Sequence, residues 1–177
     1  MLKISKKADY AVLIMASMAM RQVEHDETQE GETQENEAQE KAARATPLVC
    51  AHEIASQAGL SRPLCANLLK TLTRANLLES VRGAAGGYRL GQPMESITLI
   101  QILEAVEGPM QLVACAADEP TATAHTMSCD LSEHCPSRSA MRVVHERVAN
   151  LMQEIRLTEL LRLENRASLG SEYIART

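Results

Sequence analysis

A mainly α fold is predicted, on three observations. Residues 47–76 carry two apolar helical patterns separated by a short turn at Gly59, a Gly-rich hairpin pattern follows at 77–90, and residues 137–163 repeat apolar side chains at heptad-like spacing. Together they predict a winged helix-turn-helix domain with a β-hairpin wing and a long C-terminal dimerisation helix. The 177 residues suffice for one domain of roughly 100–150 residues and an appendage. With three Tyr, no Phe and no Trp, the core must come from Leu, Ile, Val, Ala and Met. The same scarcity excludes a nucleic-acid surface that works by base stacking, which needs aromatic faces.

Residues 6–22 read as a first helix, with Ala8, Val12, Met15 and Ala19 at helical spacing and Leu13 and Ala16 widening the face. Residues 24–45 are rich in Glu, Gln, Thr and Asn and read as an acidic, disordered insert, since so few apolar side chains cannot offset the entropy of ordering. Pro47 marks the start of the next helix, with Val49, Ile54 and Ala55 on its apolar face. Gly59 suits the tight turn. Ser61 is the expected N-cap of the second helix of the pair, with Pro63 in its first turn and Leu64, Leu68, Leu69 and Leu72 facing the core.

Leu77–Arg82 reads as a strand, Gly83–Gly87 as a turn and Tyr88–Leu90 as the returning strand, so Arg82 and Arg89 flank the wing and, with Ser61 at the helix start, are expected DNA contacts. A short helix is expected over 96–107, ended by Gly108-Pro109. In the final helix Met141, Val144, Val148, Leu151 and Ile155 form a stripe that this small domain cannot cover, which predicts a two-fold dimer. The resulting organisation is a DNA-binding domain over 1–108 with its insert at 24–45, a cysteine-rich loop over 109–136, the dimerisation helix over 137–163 and a flexible tail over 164–177.

The net charge of −5 is unevenly spread. Residues 24–40 hold eight acids and no Lys or Arg, whereas residues 1–23 and 41–108 hold 11 Lys and Arg against 6 Asp and Glu, a net of +5. That is a modest electrostatic footprint for DNA. In the second helix of the pair, Arg62 and Asn67 lie near the end that meets base edges, where Arg pairs with guanine and Asn with adenine. Lys70 and Arg74 lie further along, suited to phosphate or solvent, and Arg82 can enter the minor groove. No apolar stretch is long enough to span a membrane, and the basic start followed by a short apolar run reads as an amphipathic helix of a cytoplasmic protein.

Five cysteines, an odd number, point to thiols or metal ligands rather than a disulfide framework. Cys115, Cys129 and Cys135 are spaced C-x13-C-x5-C, and three sulfurs on one loop can converge on a soft metal or an iron–sulfur cluster. The spacing is not that of a zinc ribbon. His125, His134 and Asp9 are candidates for a further ligand, Asp9 having the plainer alternative of capping the first helix. Cys50 and Cys65 are expected to be small core residues. No GxSxG, P-loop, HExxH or dinucleotide-binding fingerprint is present, so no enzyme is expected.

The segments ISKKADYAVLIMASMA, SVRGAAGGYRLGQP, ITLIQILEAVEGP and CDLSEHCPSRSAM resemble the Rrf-two (Rrf2) family of bacterial regulators over about residues 1–23 and 46–160, most closely its branch that controls SUF iron–sulfur assembly. The resemblance implies a homodimer that binds a palindromic element in double-stranded promoter DNA. It also implies an iron–sulfur cluster, 2Fe–2S or 4Fe–4S, held near the dimer interface by the three loop cysteines. In a nitric-oxide-sensing branch an Asp of the first helix completes the cluster from the partner subunit, and Asp9 occupies that position. Another branch uses a His three residues after the last Cys. Here that position is Arg138, which cannot ligate. The acidic insert and the long gap between Cys115 and Cys129 also depart from the family. The expected function is cluster-dependent transcriptional repression of SUF genes. The alternatives are a regulator that senses oxidants through free thiols and, in another class, a small iron–sulfur electron or cluster carrier.

Overall fold

The computed structural model describes residues 4–29, 47–83, 86–113 and 135–162. In chain order these form α1 (Lys6–Gln29), α2 (Ala51–Gln57), α3 (Arg62–Arg74), β1 (Leu78–Val81), β2 (Gly87–Leu90), α4 (Leu99–Glu107) and α5 (Arg138–Glu154). Helices α1, α3 and α4 pack around one core of Ile14, Met15, Ile54, Leu68, Leu69, Leu72, Ile97, Ile102 and Leu157.

Helix α1 buries Ala8, Ala11, Ile14, Met15, Ala16, Met18 and Ala19, whereas the expected Val12 is only partly buried and the expected Leu13 is exposed. It also runs through Gln29, into the segment expected to be disordered from residue 24. Glu and Gln are good helix formers, and Arg21 is anchored by an ion pair to Glu53 of α2, so nothing stops the helix there.

The helix-turn-helix is where the sequence places it, with local differences. Pro47 does not open α2: residues 47–49 are extended, and Val49 exchanges two 2.9 Å backbone hydrogen bonds with Tyr88, adding a third short segment to the wing. Gly87 must be glycine because a Cβ there would lie 2.7 Å from the Val49 carbonyl oxygen. Helix α2 ends at a turn in which Gly59 adopts φ +62° and Leu60 N–H donates to Ala55 O at 2.9 Å. Ser61 is the N-cap of α3, although its hydroxyl makes no capping hydrogen bond. Cys65, Leu68, Leu69 and Leu72 are buried, and Leu64 only partly so.

Strands β1 and β2 pair antiparallel in the register Leu78 with Leu90 and Val81 with Gly87. Helix α4 starts at Leu99, three residues later than expected. Just before it, Thr98 is extended and bridged to Arg156, through Leu99 N–H to Ile155 O and Leu157 N–H to Ile97 O, each 2.9 Å. A capping box between Thr98 and Gln101 then opens the helix.

The same pairing corrects the reading of 137–163 as one helix. Helix α5 ends at Glu154, Ile155 leaves it in an extended conformation, and a further helical turn over 157–162 buries Leu157 and Leu161. Within α5 itself no residue is buried in the protomer, and Val144 and Leu151 are 45% and 58% exposed.

Candidate nucleic-acid interface and metal site

Helix α3 divides cleanly. Its buried stripe anchors it to the core, which leaves Arg62, Pro63, Ala66, Asn67, Lys70 and Arg74 on the solvent face. Ser61, just before the helix, is exposed as well. The helix contains three cations and no acid, and its first turn carries no carboxylate that would compete for the helix N-terminus. A rigid helix presenting Arg62 and Asn67 at its N-terminal end and Lys70 and Arg74 further along can meet base edges and phosphates together.

The wing follows directly. Arg82 follows β1 at the turn, one residue past the strand's end at Val81, and is exposed. Arg89 is different: its Nε and Nη2 reach Glu79 Oε2 at 2.8 and 2.7 Å across the hairpin, and its side chain is only 20% exposed. The guanidinium expected to flank the wing as a DNA contact is thus neutralised within the sheet, leaving Arg82 as the wing's exposed cation among the described residues.

Of the cysteine set, Cys115 and Cys129 lie outside the described residues, as do His125 and His134. Cys135 is half-buried just before α5, and its carbonyl accepts from Arg138 N–H at 3.3 Å. Asp9 is exposed in the first turn of α1, and its side chain forms no ion pair among the described residues. It does not cap the helix: Ser5 does, its Oγ accepting from Ala8 N–H at 3.2 Å. Among the described residues no three potential ligands gather at one point.

The two remaining thiols differ from each other. Cys65 is buried as expected, its Sγ 3.8 Å from Ala51 O, and desolvation raises its pKa, which keeps it a protonated, poorly reactive thiol. Cys50 is not a core residue. It is exposed at the N-cap of α2, where Sγ accepts from Glu53 N–H at 3.4 Å, because Val49 rather than Cys50 turns into the wing.

A set of contacts unforeseen from the sequence joins the first turn of α1 to the end of α4. Ser5 Oγ donates to Glu107 Oε1 at 2.5 Å, Lys7 Nζ donates to Val106 O at 3.1 Å, and Glu104 Oε1 accepts from Met110 N–H at 3.0 Å. The Ser at position 5 was a legible capping signal, but nothing local in the sequence marks Glu107 as its partner.

Comparison with known proteins gives a consistent result. The family model for Rrf2, described as an iron-dependent transcriptional regulator, matches residues 40–163. The chain is 33% identical to the HTH-type transcriptional regulator IscR of Cereibacter sphaeroides over 60% of its own length and 56% of that protein's, so the match spans little more than half of that relative. It is 26% identical to IscR of Vibrio campbellii over 91% of this chain and 78% of that one. Among solved structures, T. potens IscR superposes with a TM-score of 0.60 at 23% identity, covering 94% of this chain and 90% of that one. CymR, the global cysteine regulator of B. subtilis, superposes with a TM-score of 0.59 at 24% identity, covering 92% and 98%. At these identities the two superpositions establish the fold alone, a winged helix-turn-helix, as the sequence predicts.

Proposed function

Since the chain belongs to the Rrf2 family of transcriptional regulators and is not an enzyme, we propose that it is a cytoplasmic, homodimeric regulator of promoter DNA whose affinity depends on an iron–sulfur cluster, and that it represses SUF iron–sulfur assembly genes. The observation that carries DNA binding is the acid-free solvent face of α3, with Arg62, Asn67, Lys70 and Arg74, followed by the exposed Arg82 of the wing. Arg62 and Asn67 read bases, Lys70 and Arg74 hold phosphates, and Arg82 enters the minor groove. No helix among the described residues is long and apolar enough to cross a membrane.

The cluster reading rests on the donor set and its placement. Cys115, Cys129 and Cys135 supply three soft thiolates of the kind that hold iron–sulfur clusters. Asp9 supplies a harder, exposed carboxylate, and the family resemblance places such an Asp on the partner subunit's cluster. When bound, the cluster supplies a redox- and ligand-sensitive centre. The chain's own part is to hold it between the root of the loop and α1, and α1 packs directly on the helix-turn-helix. A change in cluster state then biases the arrangement of the two α3 helices, a coupling between two sites.

The test is purification without oxygen. Wild-type protein is expected to be coloured and to contain iron and acid-labile sulfide. Replacement of Cys115, Cys129 or Cys135 by Ala removes a thiolate and lowers or abolishes both, whereas Cys50→Ala and Cys65→Ala leave them unchanged. Equal iron and sulfide in the variant lacking all three loop cysteines overturns the cluster assignment. Equal affinity of the loaded and cluster-free protein for a SUF promoter fragment overturns its regulatory role.

A further inference from the structure

We infer that Gly91 and Gln92 are positioning residues that hold the wing at one angle to α3, so that Arg62 and Arg82 engage one DNA site together. This rests on the proposed DNA surface. The joint begins where α3 ends. Leu77 N–H donates to Leu72 O at 3.0 Å and Asn76 N–H to Thr73 O at 3.1 Å, the paired bonds of a Schellman turn. Asn76 takes the left-handed position of that turn at φ +57°, which Asn tolerates better than most side chains.

The two carbonyls that follow are taken up by the far end of the wing. Gln92 Nε2 donates to Asn76 O at 3.0 Å, and Gly91 N–H donates to Leu77 O at 3.0 Å. Gly91 also permits the approach: a Cβ there would lie 2.8 Å from Asn76 O, a backbone atom that cannot swing aside. The chain itself ties β1 to α3, and these two bonds tie the end of β2 to the same turn. Both strands of the wing thus share one root.

On the core side Leu72, Leu77, Leu78 and Leu90 are buried and form the pivot. On the solvent side an open cleft of about 310 Å³ lies among Thr73, Asn76, Glu79, Ser80 and Gly91. Packing therefore supports the wing from one side, and the hydrogen bonds limit its tilt toward the other. Arg82 stands five residues beyond Leu77, roughly 16 Å along the strand, so a tilt of about 10° carries it roughly 3 Å, far more than a hydrogen bond tolerates. Arg62 belongs to α3 and does not move with the wing.

The experiment titrates full-length protein, purified without oxygen, against a DNA duplex that the wild type selects from a random-sequence pool, read by fluorescence anisotropy at fixed salt. Gln92→Met keeps the side-chain length and removes the donor, and Gly91→Ala adds the excluded Cβ. Affinity should fall about threefold for Gln92→Met and about tenfold for Gly91→Ala, within the usual range of coupling between neighbours. The deciding readout is the penalty of a second substitution. In either background Arg82→Ala should cost a smaller factor than in wild type, because its contact is already weakened, whereas Arg62→Ala should cost its full factor. A general loss of stability lowers every affinity by one factor and leaves both penalties unchanged. Unchanged penalties overturn the positioning role, and wild-type affinity in a joint variant removes that residue from it. In both cases the DNA surface stands as long as Arg62→Ala and Arg82→Ala bind more weakly. If those two bind as wild type, or if no duplex is selected, the DNA surface and the joint's role fall together. Should Gly91→Ala lose its helical circular dichroism, Gln92→Met decides.

Discussion

Arg82 and Arg89 flank one turn yet stand in different electrostatic situations. Arg89 spends its guanidinium on Glu79, while Arg82 has none of that neutralisation and projects at the tip. A cation already paired must give up its partner before it gains a phosphate or a groove, so the two should not contribute equally. Arg82→Ala is expected to weaken operator binding by about 1–3 kcal/mol, the scale of a good groove contact, with dimer and cluster unchanged. Arg89→Ala should cost much less in binding and instead lower hairpin stability by about 0.5 kcal/mol, the usual worth of a surface pair. Gel-shift titrations at fixed salt, with thermal melts alongside, separate the two, and equal losses of affinity would remove the distinction. The same scale explains Cys50 and Cys65. Sequence treats them alike, but one faces solvent at a helix cap while the other is buried and protonated. Exposure follows from which neighbour turns into the wing, a fact that no local pattern around Cys50 encodes.

The elements that could be read from sequence are those specified by their own residues. Helix α3 has a leucine stripe, a glycine turn before it and a proline in its first turn, and it lies where those signals put it. The wing follows from Gly-rich residues between two short apolar segments. What could not be read depends on partners far along the chain: Val49 pairs with Tyr88, residues 97–99 pair with 155–157, and Ser5 finds Glu107 a full 102 residues away. The candidate DNA surface was legible because it is one face of one helix. The candidate cluster site was legible only as a donor list, and two of its three cysteines lie outside the described residues. The 97–99 pairing also makes Thr98 a joint between elements. Its side chain accepts from Gln101 N–H, the Gln101 side chain returns to Thr98 N–H, and Thr98 is buried. Thr98→Ala should therefore destabilise the domain by about 1–2 kcal/mol, toward the upper end for a cap, as read by urea unfolding. A loss no larger than that of an exposed surface substitution would show that the cap does not secure the start of α4.

At the scale of the molecule, α5 is the element that one protomer does not account for. It has apolar residues at helical spacing yet buries none of them, and Val144 and Leu151 stand 45% and 58% exposed. That exposed stripe is what a second copy would cover. A two-fold pairing along α5 would cover Val144 and Leu151 and present two α3 helices to two half-sites of one operator. The variant carrying both Val144→Glu and Leu151→Glu places charge on the stripe without removing any core contact, so its helical circular dichroism should match that of wild type. Sedimentation velocity should show a dimer for wild type and a monomer for the variant. Operator affinity should fall by about 100-fold or more, because the second half-site contact is no longer intramolecular. A variant that stays dimeric would move the interface off α5, and a monomer that keeps full affinity would mean that one winged helix suffices for the operator.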